Sequence, residues 1–164
     1  MFFELMMPDN EQEIKEMSEM ATAILRDYYD PIIGKEQNDY MLEMFQSEDA
    51  IREQLDHGYR YYFVRDEDGK DLGFVAFYLR ENALYLSKLY LYKDQRGKGY
   101  ARTILEFLKT QAKELDRNRI ELNVNRNNDT RFIYEKLGFT VAWEEKNDIG
   151  NGFYMDDYVY ALEF

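Results

Sequence analysis

Apolar residues at Ile14, Met17, Met20, Ala21, Ile24 and Leu25 recur every three or four positions. This is the period of a helix with one buried face. Asn10 precedes the run as a cap, and Glu11 and Glu13 sit near the positive helix end. The helix is expected to reach about Tyr28, with Pro31 and Gly34 breaking it. A short strand, Phe2 to Met6, comes before it. A second helical region runs from Asn38 to Leu55, interrupted at Ser47, a good cap residue. The pattern then changes. Tyr59 to Val64, Leu72 to Leu79 and Ala83 to Tyr92 are rich in β-branched and aromatic residues. Turn chemistry separates them at Asp66–Asp71 and Glu81–Asn82, which predicts an antiparallel meander. A loop, Lys93 to Lys98, leads into a helix from Gly99 to Leu115 with Ile104, Leu105, Leu108 and Ala112 on one face. Arg119 to Val124 reads as a strand and Asn127 to Leu137 as a short helix ended by Gly138. Phe139 to Glu144 and Phe153 to Leu162 close the chain as strands around a loop with Asp148, Gly150 and Gly152. A meander followed by strand–helix–strand–helix implies a mixed sheet with helices on both faces.

No Pro/Ser linker or repeat interrupts the 164 residues, so the chain is read as one domain, 1–164. Hydrophobic residues make up 45%, enough for a buried core and too many for a disordered chain. Cysteine is absent, which removes disulfides, thiolate metal ligands and thiol nucleophiles at once. A single histidine, His57, rules out a multi-histidine metal centre, so no metal is expected. His57 lies in the turn-like Asp56-His57-Gly58, a poor place for a catalytic triad member and a natural one for a solvated side chain. The formal charge of −12 disfavours nucleic acid and anionic membranes and attracts cations, such as a small polyamine or aminated sugar. An ordinary acidic soluble surface explains it more simply. There is no long apolar run for a membrane span and no basic n-region for a leader, so a cytoplasmic protein is expected.

The candidate chemistry begins at Arg96-Gly97-Lys98-Gly99-Tyr100-Ala101. These residues follow a strand and open a helix. There, unpaired backbone N–H groups and the helix dipole point at one spot and can hold a phosphate or diphosphate. Glycine at 97 and 99 lets the backbone approach such a ligand, and Arg96 and Lys98 add positive charge. A glycine-bearing strand-to-helix turn with solvated basic residues explains the segment as well when it is taken alone. It is neither a P-loop nor the dinucleotide fingerprint, whose third glycine is replaced here by Arg102.

A second segment, Asn127-Asn128-Asp129-Thr130-Arg131-Phe132-Ile133-Tyr134-Glu135-Lys136-Leu137-Gly138-Phe139, changes the weight of the first. Together they resemble the GNAT superfamily of acetyl-coenzyme A-dependent N-acetyltransferases. The family's phosphate motif, Arg/Gln-x-x-Gly-x-Gly/Ala, is met by Arg96, Gly99 and Ala101. Its second motif, an Asn seven residues before Tyr-Glu-Lys-Leu-Gly-Phe, is met by Asn127 and Tyr134–Phe139. The resemblance implies a GNAT-like α/β (α+β) fold with a mixed, mostly antiparallel sheet of about six to seven strands. It implies acetyl-CoA as co-substrate, with the amides of Arg96, Gly97, Lys98, Gly99, Tyr100 and Ala101 on its diphosphate. It further implies that the backbone of Leu89, Tyr90 and Leu91 meets the pantetheine and acetyl group, that Asn127 holds the pantetheine arm, and that Tyr134 points at the sulfur.

Transfer to an amine then needs three things. A proton must leave the ammonium, an oxyanion must be held, by a backbone N–H at Leu89 or Leu91, and the thiolate must be protonated, by Tyr134. Many family members carry a Glu on the strand before the loop, whereas this chain has Ser87 and Lys88 there. A direct carboxylate base is thus not evident. Glu121, Asn123, Asp156 and Asp157 are candidates, as is a water ordered by Ser87. The expected acceptor is a small cationic amine. A protein or peptide amine, or a coenzyme-binding sensor without turnover, are the other readings. A homodimer is expected by analogy with the family.

Overall fold

The computed structural model describes all residues, Met1–Phe164. The elements are β1 (Phe2–Leu5), α1 (Glu11–Ile33), α2 (Lys35–Gln46), α3 (Glu48–Asp56), β2 (Arg60–Arg65), β3 (Asp71–Leu79), β4 (Leu84–Leu91), α4 (Tyr100–Glu114), β5 (Arg119–Asn125), α5 (Thr130–Lys136), β6 (Thr140–Gly150) and β7 (Phe153–Glu163). Backbone hydrogen bonds order the seven strands β1-β2-β3-β4-β5-β7-β6. The β4–β5 pair is parallel, while β1–β2, β2–β3, β5–β7 and β6–β7 are antiparallel. This is the mixed, mostly antiparallel sheet expected. The chain forms two compact units, Met1–Tyr78 with Lys88–Lys98, and Leu79–Ser87 with Gly99–Phe164. No linker composition marks the division, because it runs through the middle of strand β4.

In the first unit α1 supplies Ile14, Met17, Met20, Ala21, Ile24 and Leu25 to a core shared with Leu42, Ile51, Tyr61, Phe63, Phe74 and Ala76. Each of the Ile, Leu, Met and Phe side chains among them, when fully buried, contributes about 1.5–3 kcal/mol, and the two alanines less. Asn10 caps α1 by accepting from Glu13 N at 3.1 Å. Pro31 does not break the helix, contrary to the sequence expectation. A proline removes one backbone donor. The following turn still closes, with Gly34 N donating to Asp30 O at 3.1 Å and Gly34 taking φ 87°. Ser47 separates α2 from α3 as expected and accepts from Ala50 N at 3.2 Å. Ser18 Oγ donates to Gln46 O at 2.6 Å, and buried Asn38 donates to Leu25 O, so polar bonds also fasten α1 to α2.

Gly73 of β3 is the tightest backbone position. A Cβ there would overlap the Tyr90 carbonyl oxygen and lie 2.8 Å from Leu91 Cα. The two strands approach so closely because nothing stands between them.

In the second unit Ile104, Leu105, Leu108 and Ala112 of α4 are buried, as are Ile120, Leu122 and Val124 of β5 and Val159, Tyr160 and Ala161 of β7. α5 starts three residues later than the sequence pattern suggests. Asn128, itself buried, turns the chain into it by accepting from Thr130 N and Thr130 Oγ1 at 2.9 and 2.6 Å. β6 is longer than expected and runs on to Gly150, so residues 145–150 are strand and not loop. Gly150, Asn151 and Gly152, all at positive φ, turn it tightly into β7.

Candidate functional site

The segment Arg96–Ala101 spans the division between the units, and each part has its own surroundings. In the first unit β4 ends at Leu91, and a single 3-10 turn, Lys93–Gln95, carries the chain to Arg96. Arg96 Nε donates to Leu91 O at 3.3 Å. Its guanidinium carbon lies 3.6 Å from the centroid of the Tyr28 ring of α1. Its Nη2 is buried with no hydrogen-bond partner. A buried donor left without a partner costs about 1–3 kcal/mol, so this atom is well placed for an anion. Lys98 Nζ is 3.4 Å from Gln95 Oε1. Gly97 and Gly99 have φ of 74° and 80°, and a Cβ at either would meet nothing within 4 Å. Glycine is required here by the left-handed backbone, and the space beside it is open.

In the second unit Gly99 is the cap residue of α4, and no side chain occupies the helix mouth with a capping bond. The first N–H groups of α4, from Tyr100 and Ala101 onward, are therefore not spent on a side-chain cap. Asn127 is exposed, and its N–H donates to Asn125 Oδ1 at 2.9 Å. Tyr134 is 8% exposed on α5 and packs edge-on against Phe139 with centroids 5.6 Å apart. Arg131, in the same segment, has a buried Nε with no hydrogen-bond partner. The two guanidinium donors that lack partners thus fall one in each motif. In the first unit the fit of the segment to a diphosphate-bearing group rests on Arg96 Nη2 and on the open backbone at Gly97.

The four base candidates separate clearly. Glu121 is buried and ion-paired to Arg80 at 3.3 Å and Arg119 at 2.9 Å. Asp156 is held by Arg126 at 3.2 Å. Asn123 is a hub: it accepts from Tyr85 OH at 2.7 Å and donates through Nδ2 to Glu145 Oε2 at 3.1 Å and Asp157 Oδ2 at 3.2 Å. Burial pushes the Asp157 carboxyl above the usual aspartate range, against the lowering effect of Asn123. Glu145, which accepts from Trp143, Asn123 and Asn147, is lowered. Ser87 and Leu89 are half-buried on β4. Tyr90 turns its ring into the first unit, 5.4 Å from Tyr28 and 5.7 Å from Phe74. His57 is exposed at the end of α3, with Nδ1 2.7 Å from Glu53 O, in agreement with a solvated role.

Lys88 is marked by the sequence only as standing, with Ser87, where many family members carry a Glu; its partners are distant in sequence and are seen only in the fold. It is 5% exposed. Its Nζ lies 2.8 Å from Phe45 O, 3.0 Å from Gln46 Oε1, 2.9 Å from Gln54 Oε1 and in contact with the Tyr61 hydroxyl, four neighbours that share at most three N–H donors. None of the four is a carboxylate. Burial holds its pKa well below the usual lysine value of 10.5. The folded state therefore sheds this proton first, and its contribution to stability grows as pH rises from the folded value toward 10.5 and is lost as pH falls back. In urea denaturation the stability of the wild type relative to Lys88→Met is expected to rise with pH over the range below 10.5. A pH-independent difference would show that Lys88 keeps an unshifted proton.

With the fold and these segments described, the class is defined: this chain is an acyltransferase. It belongs to the acetyltransferase (GNAT) family, whose sequence model matches residues 29–160. Acetyl-CoA is the family's co-substrate. The chain is 27% identical over 107 residues to the uncharacterized N-acetyltransferase YdgE of Bacillus subtilis (strain 168), covering 59% of this chain and 68% of that protein. The PaiA N-acetyltransferase of Thermoplasma acidophilum, crystallised in complex with coenzyme A, matches over 100% of both chains with a TM-score of 0.75 and 20% identity. A SpeG spermidine N-acetyltransferase chimera from Vibrio cholerae and hSSAT matches over 99% of this chain and 96% of its own, with a TM-score of 0.70 and 17% identity. At these identities the two structures establish the fold. No helix is long and apolar enough to cross a membrane.

Proposed function

We propose that this protein transfers the acetyl group of acetyl-CoA to a primary amine of a small cationic molecule of the polyamine class, by direct attack in a ternary complex. The observation that carries the donor half is the buried, unpartnered Nη2 of Arg96, in a segment where a Cβ at Gly97 would meet nothing within 4 Å. The coenzyme A bound to the PaiA neighbour supports the same reading. For the acceptor, support comes from the charge of −12, which concentrates cations, and from the spermidine enzyme among the fold neighbours.

The residues take these roles. The amides of Arg96–Ala101 and the Arg96 guanidinium hold the diphosphate, and Asn127 and the backbone of Leu89–Leu91 hold the pantetheine arm. The bound thioester supplies an electrophilic carbonyl carbon. Asp157 accepts a proton from the incoming ammonium, directly or through a water ordered by Ser87. We assign this role to Asp157 because Glu121 and Asp156 are each paired to arginine, whereas Asp157 has a raised proton affinity. The neutral nitrogen forms the N–C bond, and the carbonyl oxygen takes up negative charge against the Leu89 N–H. As the C–S bond breaks, Tyr134 OH gives its proton to sulfur. The products are free coenzyme A thiol and the N-acetyl amine. The nitrogen still holds one extra proton after attack; the Tyr134 phenolate takes it up through solvent, which leaves the neutral amide, and Asp157 releases its own proton to solvent, so one proton is liberated per turnover.

An amine panel of spermidine, aminoglycosides, amino acids and peptides, scored by thiol release, tests the reading. Spermidine-like amines are expected to show the highest kcat/KM. Tight acetyl-CoA binding with no thiol release for any amine would replace the enzyme by a sensor. A preference for peptides would move the acceptor class. For Asp157, kcat/KM is expected to rise with pH along a limb lying above the ordinary aspartate value of 3.8, as the carboxylate ionises and becomes able to accept the proton. Asp157→Asn is expected to lose about 100-fold in kcat/KM together with that limb. A variant that keeps the limb would remove Asp157 from the role.

A further inference from the structure

We propose that Tyr28 is a positioning residue for the donor: its ring holds the Arg96 guanidinium flat, so that the free edge stays aimed at the diphosphate. The proposal rests on the reading of Arg96–Ala101 as the diphosphate loop, and it adds a residue of α1 that neither motif contains.

Three contacts define the orientation of the guanidinium. One face lies over the Tyr28 ring at 3.6 Å. Nε is spent on the Leu91 carbonyl at 3.3 Å. Nη2 is buried and has no partner. A planar cation stacked on a ring and bonded at Nε has little freedom to rotate. Its remaining in-plane donors then meet a ligand without first being ordered. Lysine at 96 would offer a point charge with no plane to stack.

The ring is itself held. Tyr28 lies edge-on to Tyr90 at 5.4 Å, and Tyr90 packs against Phe74 at 5.7 Å. The hydroxyls of Tyr29 and Tyr90 are 2.9 Å apart. Burial raises the Tyr28 phenol above its usual value while Arg96 opposes the rise, so at neutral pH the ring is an uncharged stacking surface. A cluster of three tyrosines and a phenylalanine on α1, β3 and β4 thus fixes one guanidinium. Its chemistry calls for a planar, multidentate anion contact, which a diphosphate provides.

Two acetyl donors separate this role from a purely structural one. Acetyl-CoA carries the diphosphate, and acetyl-pantetheine lacks it. Tyr28→Leu is expected to raise KM for acetyl-CoA about 5- to 20-fold while leaving KM for acetyl-pantetheine within about twofold. Tyr28→Phe keeps the ring face and should match the wild type with both donors. A fluorinated phenylalanine at position 28 keeps the packing but weakens the negative ring face. It should raise KM for acetyl-CoA alone, which tests the contact even if Tyr28→Leu folds poorly. In Arg96→Ala the Tyr28 substitutions should have no further donor-selective effect. If Arg96→Ala is donor-selective but the Tyr28 variants affect both donors equally, or none, the positioning role is overturned and the loop reading stands. If Arg96→Ala itself fails to distinguish the donors, the loop reading falls and takes this inference with it.

Discussion

Tyr134→Phe lowers kcat for acetyl transfer by about 100-fold, the usual worth of a positioned general acid. The Kd for acetyl-CoA, measured by calorimetry, changes by less than about twofold. The expectation follows from where the residue sits. Tyr134 is almost wholly buried on a short helix, edge-on to Phe139, and its carbonyl accepts from Leu137 N and Phe139 N at 3.1 and 3.0 Å. Phenylalanine keeps the ring packing and the backbone bonds, so the helix and the segment around it stay in place. What is lost is one proton donor. A leaving thiolate that must then take its proton from water leaves more slowly, and the deficit appears in turnover. Equal losses in kcat and in coenzyme binding would instead make Tyr134 a packing residue and return the search for the acid to its start.

Gly73→Ala destabilises the fold by about 3 kcal/mol or more, a loss of about 6–12 °C in Tm for a chain of this size. The added methyl has nowhere to go. It meets the Tyr90 carbonyl and Leu91 Cα, both backbone, and a backbone cannot swing aside as a side-chain tip can. To admit it, β3 and β4 must part at the residues that lead to Arg96. Surviving molecules should therefore also bind acetyl-CoA more weakly. Gly69→Ala is the matched control. That glycine sits at φ 83° in the β2–β3 turn with nothing near its missing Cβ, so only the backbone conformation is penalised, by about 1–2 kcal/mol. Urea denaturation of the two variants decides the matter. A Gly73→Ala protein no less stable than Gly69→Ala would mean that the strands are not packed this closely.

The parts of the molecule visible in the sequence were those written in contiguous code. The α1 face at Ile14 to Leu25, the Ser47 interruption and the two motifs each lie within one element or one loop. Local propensity and spacing therefore reach them. Sequence pattern and structure part where a tertiary or neighbouring feature overrides a local rule. Pro31 predicts a stop, yet one lost donor is a small defect when Gly34 closes the next turn onto Asp30. The sequence pattern ends β6 at Glu144, because Glu145 to Asp148 show no apolar alternation. They are strand because β7 pairs with them, Glu145 with Asp157 and Lys146 with Asp156. The loop expected around Asp148, Gly150 and Gly152 is accordingly strand as far as Gly150 and then a tight turn. The Lys88 cluster draws on residues 45, 46, 54 and 61, and the Tyr28–Arg96 stack joins residues far apart in the chain. No window of sequence contains either one. The need for glycine at 73 is likewise set by a strand that arrives only at Tyr90.

The outermost strand of the sheet carries a further consequence. β6 ends the strand order, so its outer backbone groups face no neighbour in the chain, and Val141 and Trp143 are exposed along it. Bare ladders of this kind recruit identical strands and grow into fibrils. Here Glu144, Glu145, Lys146 and Asp148 interrupt the row, and irregularities after Val141 and after Asp148 bend it. An incoming copy would have to desolvate carboxylates and match a kinked edge. Crowded solutions of this protein should for that reason stay clear where a flat, uncharged border of the same length would gel.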